Sequence, residues 1–206
     1  MIIQTNIVLM KILLTCFDPF GGGDVNVSKV VAKHFASLLH EGYDFVVEQL
    51  PVSFEHVGNI LSSLIALHQP NIVIMLGQAS SREKISIERV AINMMDSKMG
   101  DNNGFAPCEQ TIIPLGENAL FSNMPLKRIV ENWREAGIDG VISNSAGLYV
   151  CNCSFYHALS ISQRLGNDCK VGFIHLPKLT EDKVTMKYAI DQMTTAVDIA
   201  IRTVIE

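Results

Sequence analysis

The sequence predicts an α/β protein, a three-layer α/β/α sandwich around a twisted, mostly parallel central sheet. Three observations carry that prediction. Short runs rich in Val and Ile recur along the chain, several of them apolar almost throughout, as strands covered on both faces are. Between them lie segments whose apolar residues fall three and four apart, the period of one helical face. The two kinds of segment alternate, the pattern of strands joined by crossover helices. With 206 residues, one substantial core is expected, and 1–206 is read as a single domain.

The elements follow in order. Strands are expected at 7–16, 44–50, 71–76, 139–143 and 170–176; the first, third and fifth are apolar almost throughout. Phe54, Val57, Leu61 and Leu64 mark one helical stripe, and Leu126, Ile129, Val130 and Trp133 a second. Met186, Ile190, Met193, Val197, Ala200 and Val204 mark a third. Ile85–Met94 and Gln110–Ile113 suggest extra strands, read as a hairpin excursion. In a sheet of this kind the ligand site lies beyond the carboxyl ends of the strands. That expectation gathers "CFDPFGGG", "GQASSRE", "SNSAG" and "HLPKL" at one edge.

Composition narrows the function. The net charge is −5 and no Lys/Arg run appears, which argues against a nucleic-acid partner. Residues 140–163 hold no Asp, Glu, Lys or Arg, yet Ser143, Asn144, Asn152, His157 and Gln163 lie among them. A buried strand, turn and helix is a better account than a membrane span. The apolar N-terminus lacks a basic region and a cleavage site. Met10 is a candidate start, with 1–9 an extension. Five cysteines, an odd number, favour free thiols in a reducing cytoplasm.

The chemistry concentrates in "SNSAGLYVCNCSF", residues 143–155. Cys151 falls near the predicted start of a helix, where backbone N–H groups and the positive dipole end favour an anion. That placement suits a nucleophile and an oxyanion site. A small buried hydrophobe is the competing account. Cys153 lies about 200° round the helix at roughly 3.6 residues per turn, so it should face elsewhere. A disulfide between the two is disfavoured, since helical side chains two apart diverge. Cys153 and His157 share a face, but a structural zinc needs four ligands and no second cluster exists. No metal and no cofactor are expected. His175 ends an apolar strand in "GFIHLP"; it is either a hydrogen-bonded core histidine or a general base needing an orienting partner. Glu83, Glu88 and Asp96 are the acid candidates. Glu88 stands out for its apolar surroundings, with pairing to Arg89 or Lys84 the plainer alternative. The glycines of "FDPFGGG" fit no phosphate loop. Phe17 and Phe20 beside them are either loop anchors or walls of an apolar pocket.

These segments together resemble the pyroglutamyl peptidase I family of cysteine peptidases. The match rests on "LLTCFDPFGGGDVN", "GQASSREKISIERVAIN" leading into "DNNGFAP", "SNSAGLYVCN" and "GFIHLP", in the family's order, and covers Lys11 to the C-terminus. The resemblance implies an α/β/α fold and removal of N-terminal pyroglutamate (5-oxoproline) from peptides, without a cofactor. It implies Cys151 as nucleophile, His175 as base and Glu88 as the group orienting it. It also implies a lactam pocket of Phe17, Phe20, Tyr149 and Val150, with the Gln78 backbone pairing the ring amide. A cytoplasmic homo-oligomer, often a tetramer, is the family expectation. Some positions depart from the family pattern. Cys16 replaces a glycine, and Ser80 stands where Gly, Ala or Pro is usual. Met94-Met95-Asp96 replaces an apolar residue and paired aspartates. Lys98 stands where an oxyanion-supporting arginine is usual, and Met99-Gly100 replaces Ile-Pro.

Overall fold

A computed structural model describes residues 10–36, 43–166, 168–179 and 183–206, with side chains undescribed at 183–188. Residues 1–9, and with them the first part of the predicted 7–16 strand, lie outside the described residues. Strands β1 (Met10–Phe17), β2 (Tyr43–Leu50), β3 (Ile72–Ala79) and β8 (Lys170–Pro177) form where strands were expected, β1, β3 and β8 on the nearly continuous apolar runs. With β4 (Ile85–Glu88) and β7 (Gly140–Ser143) they make one six-stranded sheet, in the order β2-β1-β3-β8-β4-β7. Four of its five pairings are parallel, and β4 against β8 is antiparallel.

Strand alternation divides the core in two. Ile12, Leu14, Ile72, Ile74, Leu76, Ile174 and Leu176 join one buried cluster, while Leu13, Val73, Met75, Val171 and Phe173 join the other. Helices α1 (Val27–Ala36), α3 (Leu126–Glu135) and α5 (Lys183–Ile205) cover the first face. Helices α2 (Val57–His68) and α4 (Val150–Leu165) cover the second. Each helix buries the stripe read from its period: Leu126, Ile129 and Trp133 on α3, and Met193, Val197 and Ala200 on α5. Phe54 of the α2 stripe packs into the same core from just before the helix begins.

Two expectations are corrected. The 85–94 segment is not a hairpin excursion. Its first part, β4, enters the central sheet, and β5 (Val90–Ile92) pairs instead with β6 (Ala119–Phe121). Only Gln110 of the 110–113 run forms a bridge, to Met95. The "ISIE" strand buries both faces, Ile85 and Ile87 in one core cluster and Ser86 and Glu88 on the other side, where Glu88 is paired with His175 and Arg82, so it lies within the sheet rather than on its rim. Second, β7 lies parallel to β4 and therefore runs against β1, β2, β3 and β8. Its carboxyl end does not point to the edge where β1, β3 and β8 finish. The chain reaches the site by the 144–149 turn, which leads into α4. No helix among the described residues is long and apolar enough to cross a membrane.

Candidate active site

The side chains of the site share one face of the sheet because of strand parity. In β8, Phe173 faces α2 and α4, so His175, two residues on, faces the same way. In β3, Met75 faces that side, and so does Gly77, the register partner of His175. In β4, Ile85 and Ile87 face the opposite cluster, which leaves Ser86 and Glu88 on the His175 side. Helix α4 lies over this face and brings Cys151 in its first turn. A Cβ placed on Gly77 would stand 3.0 Å from Cys151 Sγ and 2.7 Å from the Phe173 ring. The bare glycine is what lets the thiol approach the sheet beside His175.

His175 and Glu88 are both buried, at 4% and 0% exposure. His175 Nδ1 lies 2.8 Å from Glu88 Oε1. The bond fixes the ring plane and leaves Nε2 as the nitrogen free to exchange a proton. Phe173 packs on the imidazole with centroids 4.7 Å apart. Burial lowers the His175 pKa from its ordinary value; the Glu88 hydrogen bond and charge oppose that, and Arg82 adds to it. Burial also pushes the Cys151 thiol up to about 12, with the Glu88 charge adding to it and Arg82 and the thiol's own backbone N–H opposing it. The helix start favours a thiolate, as the sequence suggested, but desolvation outweighs it. Both shifts favour the uncharged pair, a thiol and a neutral imidazole, over the ion pair.

The start of α4 is held rather than capped. Tyr149 is the extended N-cap residue and makes no side-chain cap hydrogen bond. Asn152, 1% exposed, accepts from Ile92 N at 3.0 Å and donates to the carbonyls of Ile92 and Met94 at 2.9 and 3.0 Å. Cys153 points away from Cys151's surroundings into the core, its Sγ 4.0 Å from the Phe54 carbonyl. All five cysteines are free thiols. His157, on the same helix, packs against Gly58 of α2. Among the described residues no group of three or more His, Cys, Asp or Glu is arranged to hold a metal ion.

Beside Cys151 lies a cavity of about 280 Å³ lined by Phe17, Phe20, Asn26, Val52, Gln78, Ser80, Ser81, Tyr149, Val150 and Cys151 itself. Its walls are mainly apolar, with few polar groups, as in a small-molecule site. Phe20 and Phe54 both pack on the Tyr149 ring, at 6.1 and 5.3 Å. The Tyr149 hydroxyl donates to the Gly100 carbonyl at 2.9 Å, tying the wall to the 97–105 segment. The Gln78 side chain is already engaged: Oε1 accepts from Val27 N at 3.0 Å and so caps α1, and Nε2 donates to Ser80 Oγ at 3.2 Å. Lys98 and Met99 do not line the cavity. Both are exposed, and Met99 Sδ lies against Gly21 of the glycine-rich loop.

Glu88 does not pair with Lys84 or Arg89. Lys84 joins Asp139 at 2.8 Å, and Arg89 bonds the Asn144 side chain at 2.8 Å. Its cationic partner is Arg82, with Nη1 2.6 Å from Oε1. Neither Arg82 nor Asn152 stood out in the sequence. Arg82 occurs in polar company and Asn152 between two cysteines that draw the eye first, and the available signal was their nearness to the glutamate and cysteine motifs.

A thiol at a helix start, over a sheet face that carries an imidazole hydrogen-bonded to a buried carboxylate, defines a cysteine hydrolase on an α/β/α scaffold. The chain belongs to the pyroglutamyl peptidase family, whose pattern matches residues 10–206. The pyrrolidone-carboxylate peptidase of Thermococcus kodakarensis is 42% identical over 200 residues, covering 96% of this chain and 97% of its own. That of Yersinia pestis is 42% identical over 176 residues, covering 85% and 82%. Among solved structures, a mutant pyrrolidone carboxyl peptidase from Pyrococcus furiosus has a TM-score of 0.89 at 33% identity, covering 95% of this chain and 98% of its own. Pyroglutamyl peptidase I of Bacillus amyloliquefaciens has a TM-score of 0.87 at 37% identity, with 95% of each chain covered.

Proposed function

We propose that this protein removes N-terminal pyroglutamate from peptides, with Cys151 as nucleophile, His175 as base and Glu88 as its orienting carboxylate. The observation that carries the proposal is the apolar cavity that ends at Cys151, on the face where His175 meets Glu88. A pyroglutamyl ring is flat and uncharged, so walls of Phe17, Phe20, Tyr149 and Val150 can bury it. A free amino terminus would place an unpaired charge there, which is costly. Because the Gln78 side chain caps α1, only its backbone remains for the ring amide.

As Cys151 attacks the carbonyl joining pyroglutamate to the next residue, its proton passes to His175 Nε2. Glu88 holds the imidazolium so formed. The uncapped N–H groups at the start of α4 receive the oxyanion. His175 then gives its proton to the departing amine, leaving a thioester on Cys151. Water, deprotonated by the same imidazole, hydrolyses the thioester and restores the thiol. No cofactor enters. The free thiols suit a reducing cytoplasm, and a homo-oligomer, tetrameric by family resemblance, belongs to the same proposal; sedimentation would read its size.

The decisive comparison is wild type against Cys151→Ser on a pyroglutamyl anilide, with prolyl and glutaminyl anilides as controls. Wild type should cleave only the pyroglutamyl compound, and Cys151→Ser should lose about a thousandfold or more. Undiminished hydrolysis by the variant would overturn the mechanism. A wild type that binds pyroglutamyl peptides under reducing conditions but leaves them intact would make the protein a binding relative instead.

A further inference from the structure

Arg82 touches both halves of the proposed machinery. Its Nη1 lies 2.6 Å from Glu88 Oε1, the same oxygen that His175 Nδ1 meets at 2.8 Å. Its Nη2 donates to the Ser145 carbonyl at 2.8 Å. Ser145 belongs to the turn that leads into α4 and Cys151. One planar fork therefore joins the carboxylate that holds the base to the turn that delivers the thiol. An ammonium offers no second arm fixed in the same plane. This is not an ordinary surface pair, since the carboxylate is wholly buried while the arginine side chain is 24% exposed. Glu88 Oε2 is buried and meets no donor among the described residues. All the support for this carboxylate arrives at one oxygen, from His175 and Arg82.

We propose that Arg82 is a positioning residue for the hydrolysis: its fork sets Glu88 and the Ser145 turn in one frame, and its cation sits on the same Glu88 oxygen that meets His175. The inference rests on the assignment of Cys151, His175 and Glu88 as the reacting set. The electrostatics point the same way. Arg82 lowers the pKa of the buried imidazole and of the Cys151 thiol. Without the guanidinium, the Glu88 charge acts on His175 unopposed. The imidazole should then protonate at higher pH, and the thiol should ionise less readily.

Two substitutions separate charge from fork. Arg82→Lys keeps the cation and loses the double contact. Arg82→Gln keeps a donor for Ser145 and loses the cation. Three readouts serve: the pH profile of kcat/KM on a pyroglutamyl anilide, kcat and KM separately, and the pH profile of Cys151 alkylation by iodoacetamide followed by peptide mass mapping. Both variants should lose about tenfold or more in kcat, with KM within about threefold. In Arg82→Gln the acid limb should move up by about half a pH unit or more, and the alkylation profile should also move to higher pH. In Arg82→Lys the limb should stay within about 0.2 units of wild type. Values of kcat within about twofold of wild type in both variants, or a loss of activity with both profiles unmoved, would overturn the proposal; the latter is what a merely structural arginine gives. If the wild type hydrolyses no pyroglutamyl substrate, the functional assignment fails by itself. The alkylation profile then decides on Arg82: a shift in Arg82→Gln supports the positioning role and no shift rejects it.

Discussion

Gly77 shows how narrow the tolerances are around single residues. It lies in β3 opposite His175, and α4 lies directly over it. The methyl of Gly77→Ala would sit 2.7 Å from Phe173 and 3.0 Å from Cys151 Sγ, so ring, thiol or helix must shift. Overpacking of this kind costs about 1–3 kcal/mol, and here the displaced atoms are those proposed to react. The expected outcome is a folded variant with a lowered melting temperature and about tenfold or greater loss of kcat/KM. Kinetics at wild-type level would mean that Cys151 and His175 need not hold this approach. At this scale the sequence was informative in part. Cys151, His175 and Glu88 were legible because a cysteine at a helix start, a histidine ending an apolar strand and a glutamate among apolar residues each break a local pattern. Arg82 breaks none. The partners considered for Glu88 were its chain neighbours, but pleating sends the adjacent Arg89 to the other face. The long approach of Arg82 from the preceding turn is a tertiary fact.

Among the elements, α4 is placed by side-chain bonds more than by a cap of its own. Asn152 alone gives three hydrogen bonds to the β5 strand and the residues after it. Asn152→Ala would leave the Ile92 N–H and the carbonyls of Ile92 and Met94 without that partner in a partly buried setting. An unmet buried donor costs about 1–3 kcal/mol. A melting temperature lowered by several degrees is expected, with catalysis falling further than stability alone explains, because Cys151 is the preceding residue. Calorimetry alongside kinetics on the same preparation would check both halves; activity at wild-type level would show that α4 keeps its place without this anchor. The helices and the long parallel strands were readable because their periods are unambiguous. The direction of β4 and β7 was not, because a strand of four residues carries no sign of its orientation. Only the pairing of Ser86 with His175 and of Ile87 with Ile174 reveals it.

Across the whole molecule, the buried thiols set a limit to alkaline stability. Burial pushes Cys16 and Cys169 up to about 11, and Cys151 and Cys153 up to about 12. They stand in both core clusters, Cys16 on one side of the sheet and the other three on the other. In the unfolded chain these groups ionise near the ordinary value of 9.0. Below that pH both states hold the protons, and the stabilising contribution is complete. Above it the unfolded chain gives them up first, so stability falls as pH rises from about 9 through the folded values. Each thiol can contribute at most about 1.4 kcal/mol per pH unit over that window. Several acting together should make the loss steep. Cys153 carries no proposed catalytic duty; it is buried in the apolar cluster, its Sγ 4.0 Å from the Phe54 carbonyl. Cys153→Ala should therefore lower stability at neutral pH by the cavity it leaves, yet lose less on going from pH 8 to pH 11. Denaturant unfolding under reducing conditions, run for both proteins across that range, measures the two slopes. Parallel slopes would mean that this thiol stays protonated in both states and that alkaline unfolding is driven by other groups.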